Sequence, residues 1–241
     1  MSKRSGRIKS SAHMNVPSVR SSRSHQWTLL LTVLLLTQVV AACSLYTIRP
    51  INPTTSSSQS NQFDQQFDPT SYANSIWASK VVPTVLNKSV DIGTVLTALG
   101  RDSGSAQKQY ATQSSDGLYN FMVKGQGKII AVNTSSRNGT LRVQLPAYNG
   151  QSTILLQIGP VMLGTALRDS VGFISFNQFT NQVQYAQVAD ALNAHAVQNL
   201  QGTDFATLRG KMITFYGAFT FVDLQQITIT PVKITPEGAS A

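Results

Sequence analysis

Residues 118–145 have the sequence LYNFMVKGQGKIIAVNTSSRNGTLRVQL, in which apolar and polar side chains alternate on both sides of an Arg137-Asn138-Gly139 turn. Alternation with a period of two is typical of half-buried antiparallel strands. Asn-Gly is the strongest short signal for a hairpin turn, because both residues tolerate a positive φ. The stretch therefore predicts two antiparallel strands joined by a tight turn.

The spacing of apolar residues after this hairpin predicts a third strand, a helix and two closing strands. In the helix, the side chains from Tyr185 to Leu200 recur at three and four residues, as they do on one face of a helix. The predicted elements are a strand over 153–158 that resumes over 163–167, a helix that closes at Gly202, and strands over 211–221 and 226–234.

Three strands, a helix and two strands are the order of the five-stranded oligonucleotide/oligosaccharide-binding (OB) barrel. Gly125, Gly127 and Gly217 lie inside predicted strands, and we interpret them as the bulges and corners that a small barrel needs. We therefore expect an α+β domain built on a small antiparallel, OB-like barrel. Another helix-on-antiparallel-sheet fold, such as the cystatin-like fold, is the alternative.

A helical segment over residues 63–115 is predicted to precede the barrel, which then covers 116–236. Asp68 and Pro69 form an N-cap with proline at the first helical position. Pro83 is expected to bend or end this first helix, because proline lacks the backbone N–H. Shorter helices are predicted over residues 91–100 and 105–112.

Residues 1–42 have the features of a signal peptide. Their first part carries six Lys and Arg residues and no acidic residue, and it becomes shorter if translation starts at Met14 instead of Met1. The apolar run over 28–40 follows. It is about thirteen residues long, shorter than the roughly 20 that cross a bilayer. This length favours export and cleavage over a permanent membrane span.

The sequence Val40-Ala41-Ala42-Cys43 at the end of the apolar run resembles the bacterial lipobox. In that motif the cysteine thiol receives diacylglycerol before cleavage, and palmitate can complete the anchor. We therefore expect lipid on Cys43, the only cysteine of the chain. Ser44 favours the outer membrane and leaves the inner membrane open. A signal anchor, or a buried free cysteine, is the alternative.

The part of the chain after the signal peptide divides into a tether and one domain. Residues 43–62 are rich in Ser, Thr, Pro and Asn, which predicts a flexible tether, and residues 63–236 are long enough for a single α+β domain. Thirteen of the Lys and Arg residues and all ten acidic residues lie after residue 42, so the net charge there is +3. This weak charge argues against nucleic acid as a partner.

Polar side chains cluster between the third predicted strand and the long helix. Guanidinium and amide groups supply directed donors and acceptors that suit sugar hydroxyls or carboxylates. The candidates for a ligand or partner contact are therefore Arg168, Asp169, Asn177, Asn181 and Gln182. The pattern favours a structural interpretation, in which Arg168 pairs with Asp169 or with an acid across the sheet and Asn177 and Asn181 cap the helix.

Catalytic, metal and cofactor motifs do not emerge from the sequence. His195 is the only histidine after the signal peptide and has no second ligand at metal spacing. Gly125-Gln126-Gly127 lacks the third glycine of a dinucleotide site. The carboxylates are scattered, so we expect a non-enzymatic protein without a cofactor. A hydrolase of envelope polysaccharide, with an acid pair assembled from distant segments, is the alternative.

Three segments resemble a family of predicted bacterial periplasmic lipoproteins of unknown function. They are FDPTSYANSIWASKVVP at 67–83, GPVMLGTALRDSVGFISFNQFTNQVQYAQVADALN at 159–193 and GKMITFYGAF at 210–219. The resemblance implies a lipid-anchored envelope protein whose genes often lie beside those of sugar-importing ABC transporters. It supplies no catalytic residue and no ligand. From it we expect an accessory protein that binds a small polar ligand or an ABC transporter component.

Overall fold

The computed structural model describes residues 67–146 and 148–237. These residues form helices and a seven-stranded mixed sheet, so the α+β class is confirmed. The predicted signal peptide, the lipid site at Cys43 and the tether over 43–62 lie outside the described residues. None of the helices in the described ranges has both the length and the hydropathy to cross a membrane.

The helices gather at the N-terminal end and between the third and fourth long strands. They are α1 Pro69–Ile76, a π-helical turn Trp77–Val81, α2 Val82–Lys88, α3 Ile92–Arg101, α4 Ser103–Tyr110, α5 Ala166–Ser170 and α6 Gln182–Leu200, with 3-10 turns at Phe176–Gln178 and Phe205–Leu208. The strands are β1 Val90–Asp91, β2 Ala111–Gln113, β3 Tyr119–Asn133, β4 Thr140–Gln144, β5 Thr153–Gln157, β6 Met212–Phe221 and β7 Gln226–Pro236.

The five long strands pair in a closed cycle that begins and ends at β3. β3 pairs antiparallel with β4, β4 with β5, β5 parallel with β7, β7 antiparallel with β6, and β6 again with β3. The short strands β1 and β2 join β3 as well. Along β3, Phe121 and Val123 are buried while Lys124 and Gln126 are exposed. The alternation seen in the sequence therefore separates a core face from a solvent face.

The strand glycines serve two different purposes. Gly217 lies at a register shift of β6, as a bulge requires. The bulge prediction is wrong for Gly125 and Gly127, because β3 shifts its register elsewhere. These two glycines leave room for neighbours instead: a Cβ on Gly125 would lie 2.8 Å from both Ile92 and Phe215 side-chain atoms. They allow the core to pack closely against β3.

The first helical stretch continues through Pro83, so the expectation that it ends there is wrong. It runs as α1, the π-helical turn and α2, up to Lys88. The N–H of Val82 donates to the carbonyl of Trp77, five residues earlier. This wider turn lies directly before Pro83, whose ring would otherwise collide with the preceding turn of a regular helix.

The strand predicted over 163–167 does not exist, because a side chain satisfies its backbone. The N–H of Leu163 donates to Gln157 Oε1 at 2.7 Å, and its carbonyl accepts from Gln157 Nε2 at 3.0 Å. Gly164 follows with a φ of 90°, and α5 begins at Ala166. A buried amide thus replaces the neighbouring strand that Leu163 would otherwise need.

Candidate functional site

Arg168 and Asp169, the first two predicted contact residues, form a buried ion pair on α5. Their exposures are 6% and 5%. Arg168 Nε donates to Asp169 Oδ1 at 2.7 Å, and a terminal guanidinium nitrogen donates to Oδ2 at 2.9 Å. The other terminal nitrogen donates to the carbonyl of Tyr185 at 3.0 Å. The pair therefore has the bidentate geometry of the strongest charge-assisted hydrogen bonds.

Tyr185 of α6 completes this group, and we call Arg168, Asp169 and Tyr185 the buried cluster. The Tyr185 hydroxyl donates to Asp169 Oδ1 at 3.0 Å, and the Arg168 guanidinium carbon lies 3.5 Å from the centre of the tyrosine ring. Burial and the neighbouring Asp169 charge raise the pKa of Tyr185 to about 12. The hydroxyl therefore stays protonated and available as a donor at physiological pH.

The other predicted contact residues lie around the start of α6. Asn181 is its N-cap, since its side-chain oxygen accepts from the N–H of Gln184 at 2.9 Å. Asn177 lies in a 3-10 turn, and both Asn177 and Gln182 are exposed. A cavity of about 120 Å³ adjoins Asp169 and is too small for most ligands. That these five residues contact a ligand stays a prediction.

A larger cavity of about 420 Å³ opens on the outer face of β3 and β6. Two cross-strand pairs point into it: Lys124 lies opposite Tyr216, and Gln126 lies opposite Thr214. We call this cavity the β3–β6 groove. Its described lining residues are Asp91, Ile92, Gly93, Lys124, Gly125, Gln126, Leu145, Pro146, Tyr148, Met212, Thr214 and Tyr216.

The remaining walls of the β3–β6 groove come from β1 and from the loop between β4 and β5. Asp91 of β1 is in register with Lys124, and its Oδ1 caps α3 by accepting from the N–H of Thr94 at 2.9 Å. Tyr148 comes from the loop, and its hydroxyl lies 2.9 Å from Ser152 Oγ. Both side chains are thus held by local hydrogen bonds before any ligand arrives.

The four side chains of the cross-strand pairs differ from the buried cluster in one respect. Within the described residues, the polar atoms of Lys124, Gln126, Thr214 and Tyr216 take part in no side-chain hydrogen bond or salt bridge. An ammonium, an amide and two hydroxyls therefore face one concavity, and the described side chains leave their hydrogen-bonding capacity unused. This arrangement suits a small polar ligand.

Sequence patterns did not predict the β3–β6 groove. Lys124 and Gln126 are recognisable as outward positions of a strand, and so are Thr214 and Tyr216. Their meeting depends on the pairing of the first and fourth long strands, which are far apart in the chain. The expected barrel was the available signal, because a closed barrel brings strands that are distant in the chain side by side.

A third cavity, of about 530 Å³, lies along α1 and α2 and is lined in part by Lys80, Lys88 and Phe173. Its polar side chains come mainly from one helical stretch. The β3–β6 groove instead brings together an acid, a base, an amide and hydroxyls from β1, β3 and β6. Because several different polar groups converge there, the β3–β6 groove is the stronger candidate.

Metal and acid–base chemistry find little support in the described residues. His, Cys, Asp and Glu do not gather there in groups of three that could hold a metal. His195 stacks on Trp77 with ring centres 5.2 Å apart, and burial lowers its pKa. The described lining of the β3–β6 groove contains one carboxylate, Asp91. A glycoside hydrolase of the usual kind needs two, about 5 to 9.5 Å apart.

Comparisons with known proteins agree with both the fold and the sequence resemblance. A family model described as "Predicted periplasmic lipoprotein (DUF2291)" matches residues 33–235. An OB-fold protein from Thermotoga maritima is similar in structure, with a TM-score of 0.55 and 18% identity over 71% of this chain and 99% of that one. A comparison with curated proteins gave no significant match.

Proposed function

Because the chain belongs to the DUF2291 family of predicted periplasmic lipoproteins, we propose that it is a lipid-anchored accessory protein that binds a small polar ligand for a sugar-uptake ABC system. The ligand binds in the β3–β6 groove. The observation that carries this proposal is the set of four polar side chains that face the groove and have no side-chain partner among the described residues. The role is non-enzymatic.

The anchor in this proposal is Cys43, which lies inside the matched residues. Diacylglycerol on its sulfur and palmitate on the new N-terminus supply several acyl chains. Several chains hold a protein on a membrane stably, whereas a single chain binds only marginally. Ser44 favours the outer membrane as the location, with the inner membrane as the alternative.

The architecture proposed for the body is an OB-type barrel. The cycle of pairings β3-β4-β5-β7-β6-β3 supports it, and so does the similarity to an OB-fold protein. OB barrels usually bind their ligands on the second and third strands, which correspond to β4 and β5. The β3–β6 groove lies on the first and fourth strands instead.

The competing location for the same ligand is the region first singled out by the sequence. There, Arg168, Asp169, Asn177, Asn181 and Gln182 would supply the contacts. The small cavity beside Asp169 supports this location. The burial and internal hydrogen bonds of Arg168 and Asp169 weigh against it.

The anchor is tested by metabolic labelling of wild type and Cys43→Ala with a palmitate analogue. We expect a labelled wild type that partitions into detergent, and an unlabelled Cys43→Ala chain, because only the thiol accepts diacylglycerol. The variant can persist as an uncleaved precursor, so labelling rather than sedimentation is the measurement. An unlabelled wild type, in a cell that labels its other lipoproteins, would contradict the proposal.

The accessory role is tested on wild-type protein purified from detergent-solubilised membranes. We expect native mass spectrometry to detect a bound small polar molecule, and co-purification to recover an ABC transporter component. A parallel preparation of a different lipoprotein is the control for adventitious partners. Recovery of neither a small molecule nor a transporter component would overturn the proposed function.

A further inference from the structure

The lining of the β3–β6 groove also defines the chemical class of its ligand. We infer that the groove binds a neutral, polyhydroxylated ring, that is, an uncharged sugar. This inference rests on the proposed function and narrows it. The charges, the hydrogen-bonding groups and the apolar surfaces of the groove each support it.

The charges of the groove balance. Asp91 and Lys124 lie in register on neighbouring strands, both are exposed, and no salt bridge joins them. Asp91 uses Oδ1 to cap α3, while Oδ2 makes no hydrogen bond within the described residues. The two opposite charges leave no net attraction for an anion or a cation that would offset the cost of removing its charge from water. A neutral ligand does not incur that cost.

The hydrogen-bonding groups of the groove favour hydroxyls on the ligand. The Asp91 carboxylate only accepts hydrogen bonds, and the Lys124 ammonium only donates them. Gln126 and Thr214 do both. Each hydroxyl of a sugar also donates and accepts, so neighbouring hydroxyls on one ring satisfy this mixed set of partners. Simple anions lack the donors that Asp91 requires.

The apolar surfaces of the groove fit the C–H groups of a sugar ring. The rings of Tyr148 and Tyr216 and the side chain of Met212 line it together with Pro146. Tyrosine combines a flat apolar ring with a polar hydroxyl, which matches a ligand with a C–H face and a hydroxyl edge. The volume of about 420 Å³ lies within the range of small-molecule sites, roughly 300–1,000 Å³.

The experiment is calorimetric titration of the full-length, lipidated protein in detergent. The probes are D-glucose, D-galactose, D-ribose and N-acetyl-D-glucosamine, together with D-glucuronate and D-glucosamine as charged counterparts of glucose. We expect at least one neutral sugar to bind. For a glucose-binding groove, each charged counterpart binds about tenfold more weakly, because the balanced charges of the groove do not offset the desolvation of its ionised group.

Two variants test whether the sugar binds in the groove. Tyr216→Ala and Lys124→Gln should each weaken the neutral sugar about tenfold. Lys128→Gln is the matched control for Lys124→Gln, since Lys128 lies on the same strand and is exposed but does not line the groove. It should leave affinity unchanged. Thermal melting of each variant separates loss of binding from loss of folding.

The source of the sugar ring is distinguished by comparing N-acetyl-D-glucosamine with its linear tetramer. Equal affinity per molecule indicates a free monosaccharide, and tighter binding of the tetramer indicates the end of an envelope glycan. Both results support the inference, since a neutral sugar ring is the ligand in each case.

Three results would overturn the inference while leaving the proposed function standing. The first is that glucuronate or glucosamine binds more tightly than every neutral sugar. The second is that a neutral sugar binds equally well to Tyr216→Ala, Lys124→Gln and the wild type. The third is that no sugar binds although native mass spectrometry finds another small polar molecule. Absence of any bound molecule and of any transporter component overturns the proposed function as well.

Discussion

The buried cluster and the β3–β6 groove both concentrate polar side chains, but they use them in opposite ways. In the buried cluster, Arg168 donates hydrogen bonds to both carboxylate oxygens of Asp169, and Tyr185 contacts both residues. In the groove, Lys124 and Gln126 have no side-chain partner within the described residues. Polar groups that satisfy one another contribute to folding, while exposed polar groups that share a concavity are available to a ligand. The comparison predicts separate effects on stability and on binding.

The largest effect is expected at Arg168. Arg168→Met leaves the buried Asp169 carboxylate without its guanidinium partner, and breaking such a pair costs about 3–5 kcal/mol of unfolding free energy. Urea denaturation followed by circular dichroism measures this loss. Arg142→Met, at an exposed position of β4, is the control and should change the free energy by less than about 0.5 kcal/mol.

A loss of binding without a loss of stability in Arg168→Met would contradict the distinction between the buried cluster and the groove. If Arg168→Met unfolds at the same urea concentration as the wild type but no longer binds ligand, the buried cluster is the binding site. The residues first singled out by the sequence would then replace the β3–β6 groove.

A smaller effect, and one that depends on pH, is expected at Tyr185. Its pKa is raised from 10.0 to about 12 in the folded protein. The unfolded chain therefore loses this proton first as pH rises, so the stabilising contribution is complete below pH 10 and is lost between pH 10 and 12. Melting temperatures measured across this window should fall less steeply in Tyr185→Phe than in the wild type.

Tyr216→Phe is the control for the Tyr185 prediction. Tyr216 lines the groove and makes no side-chain hydrogen bond within the described residues. In Tyr216→Phe the melting temperature should therefore fall with rising pH as steeply as in the wild type. If the melting temperature falls equally steeply with pH in Tyr185→Phe and the wild type, the Tyr185 hydroxyl does not stabilise the buried cluster.

The smallest effect on stability is expected in the groove. Gln126→Ala removes an exposed amide that has no hydrogen-bond partner within the described residues, so the unfolding free energy should change by less than about 0.5 kcal/mol. Ligand affinity should nevertheless fall several-fold, because one hydrogen bond to the ligand is lost. Denaturation and calorimetry on the same sample check both statements. Loss of stability with unchanged affinity would assign Gln126 to the fold rather than to the site.

Sequence patterns recovered the elements whose signals are local. The alternation over 118–145 matches β3 and β4, and Gly139 has the positive φ expected of it. The connection is longer than the tight turn predicted, because Asn133 pairs with Thr140 and residues 134–139 lie between them. The long helix starts at Gln182, close to its first predicted apolar residue. In each case the side chains that decide the structure are neighbours in the chain, so their spacing carries the information.

The failures came from contacts between distant residues. The strand expected over 163–167 was replaced because Gln157 holds the backbone of Leu163. By contrast, the ion pair of Arg168 and Asp169, which are neighbours in the chain, agrees with the structural interpretation that the sequence favoured. The groove was missed because Lys124 meets Tyr216 only after β3 and β6 have paired.

The central claim is that the ligand binds in the β3–β6 groove and not at the buried cluster. Photoaffinity labelling of the full-length protein, with a diazirine derivative of the tightest-binding sugar, tests it most directly. Mapping by mass spectrometry should place the label at residues 124–126 and 212–216, with competition by the unmodified sugar. Competed labelling at residues 168–185 instead would contradict the claim.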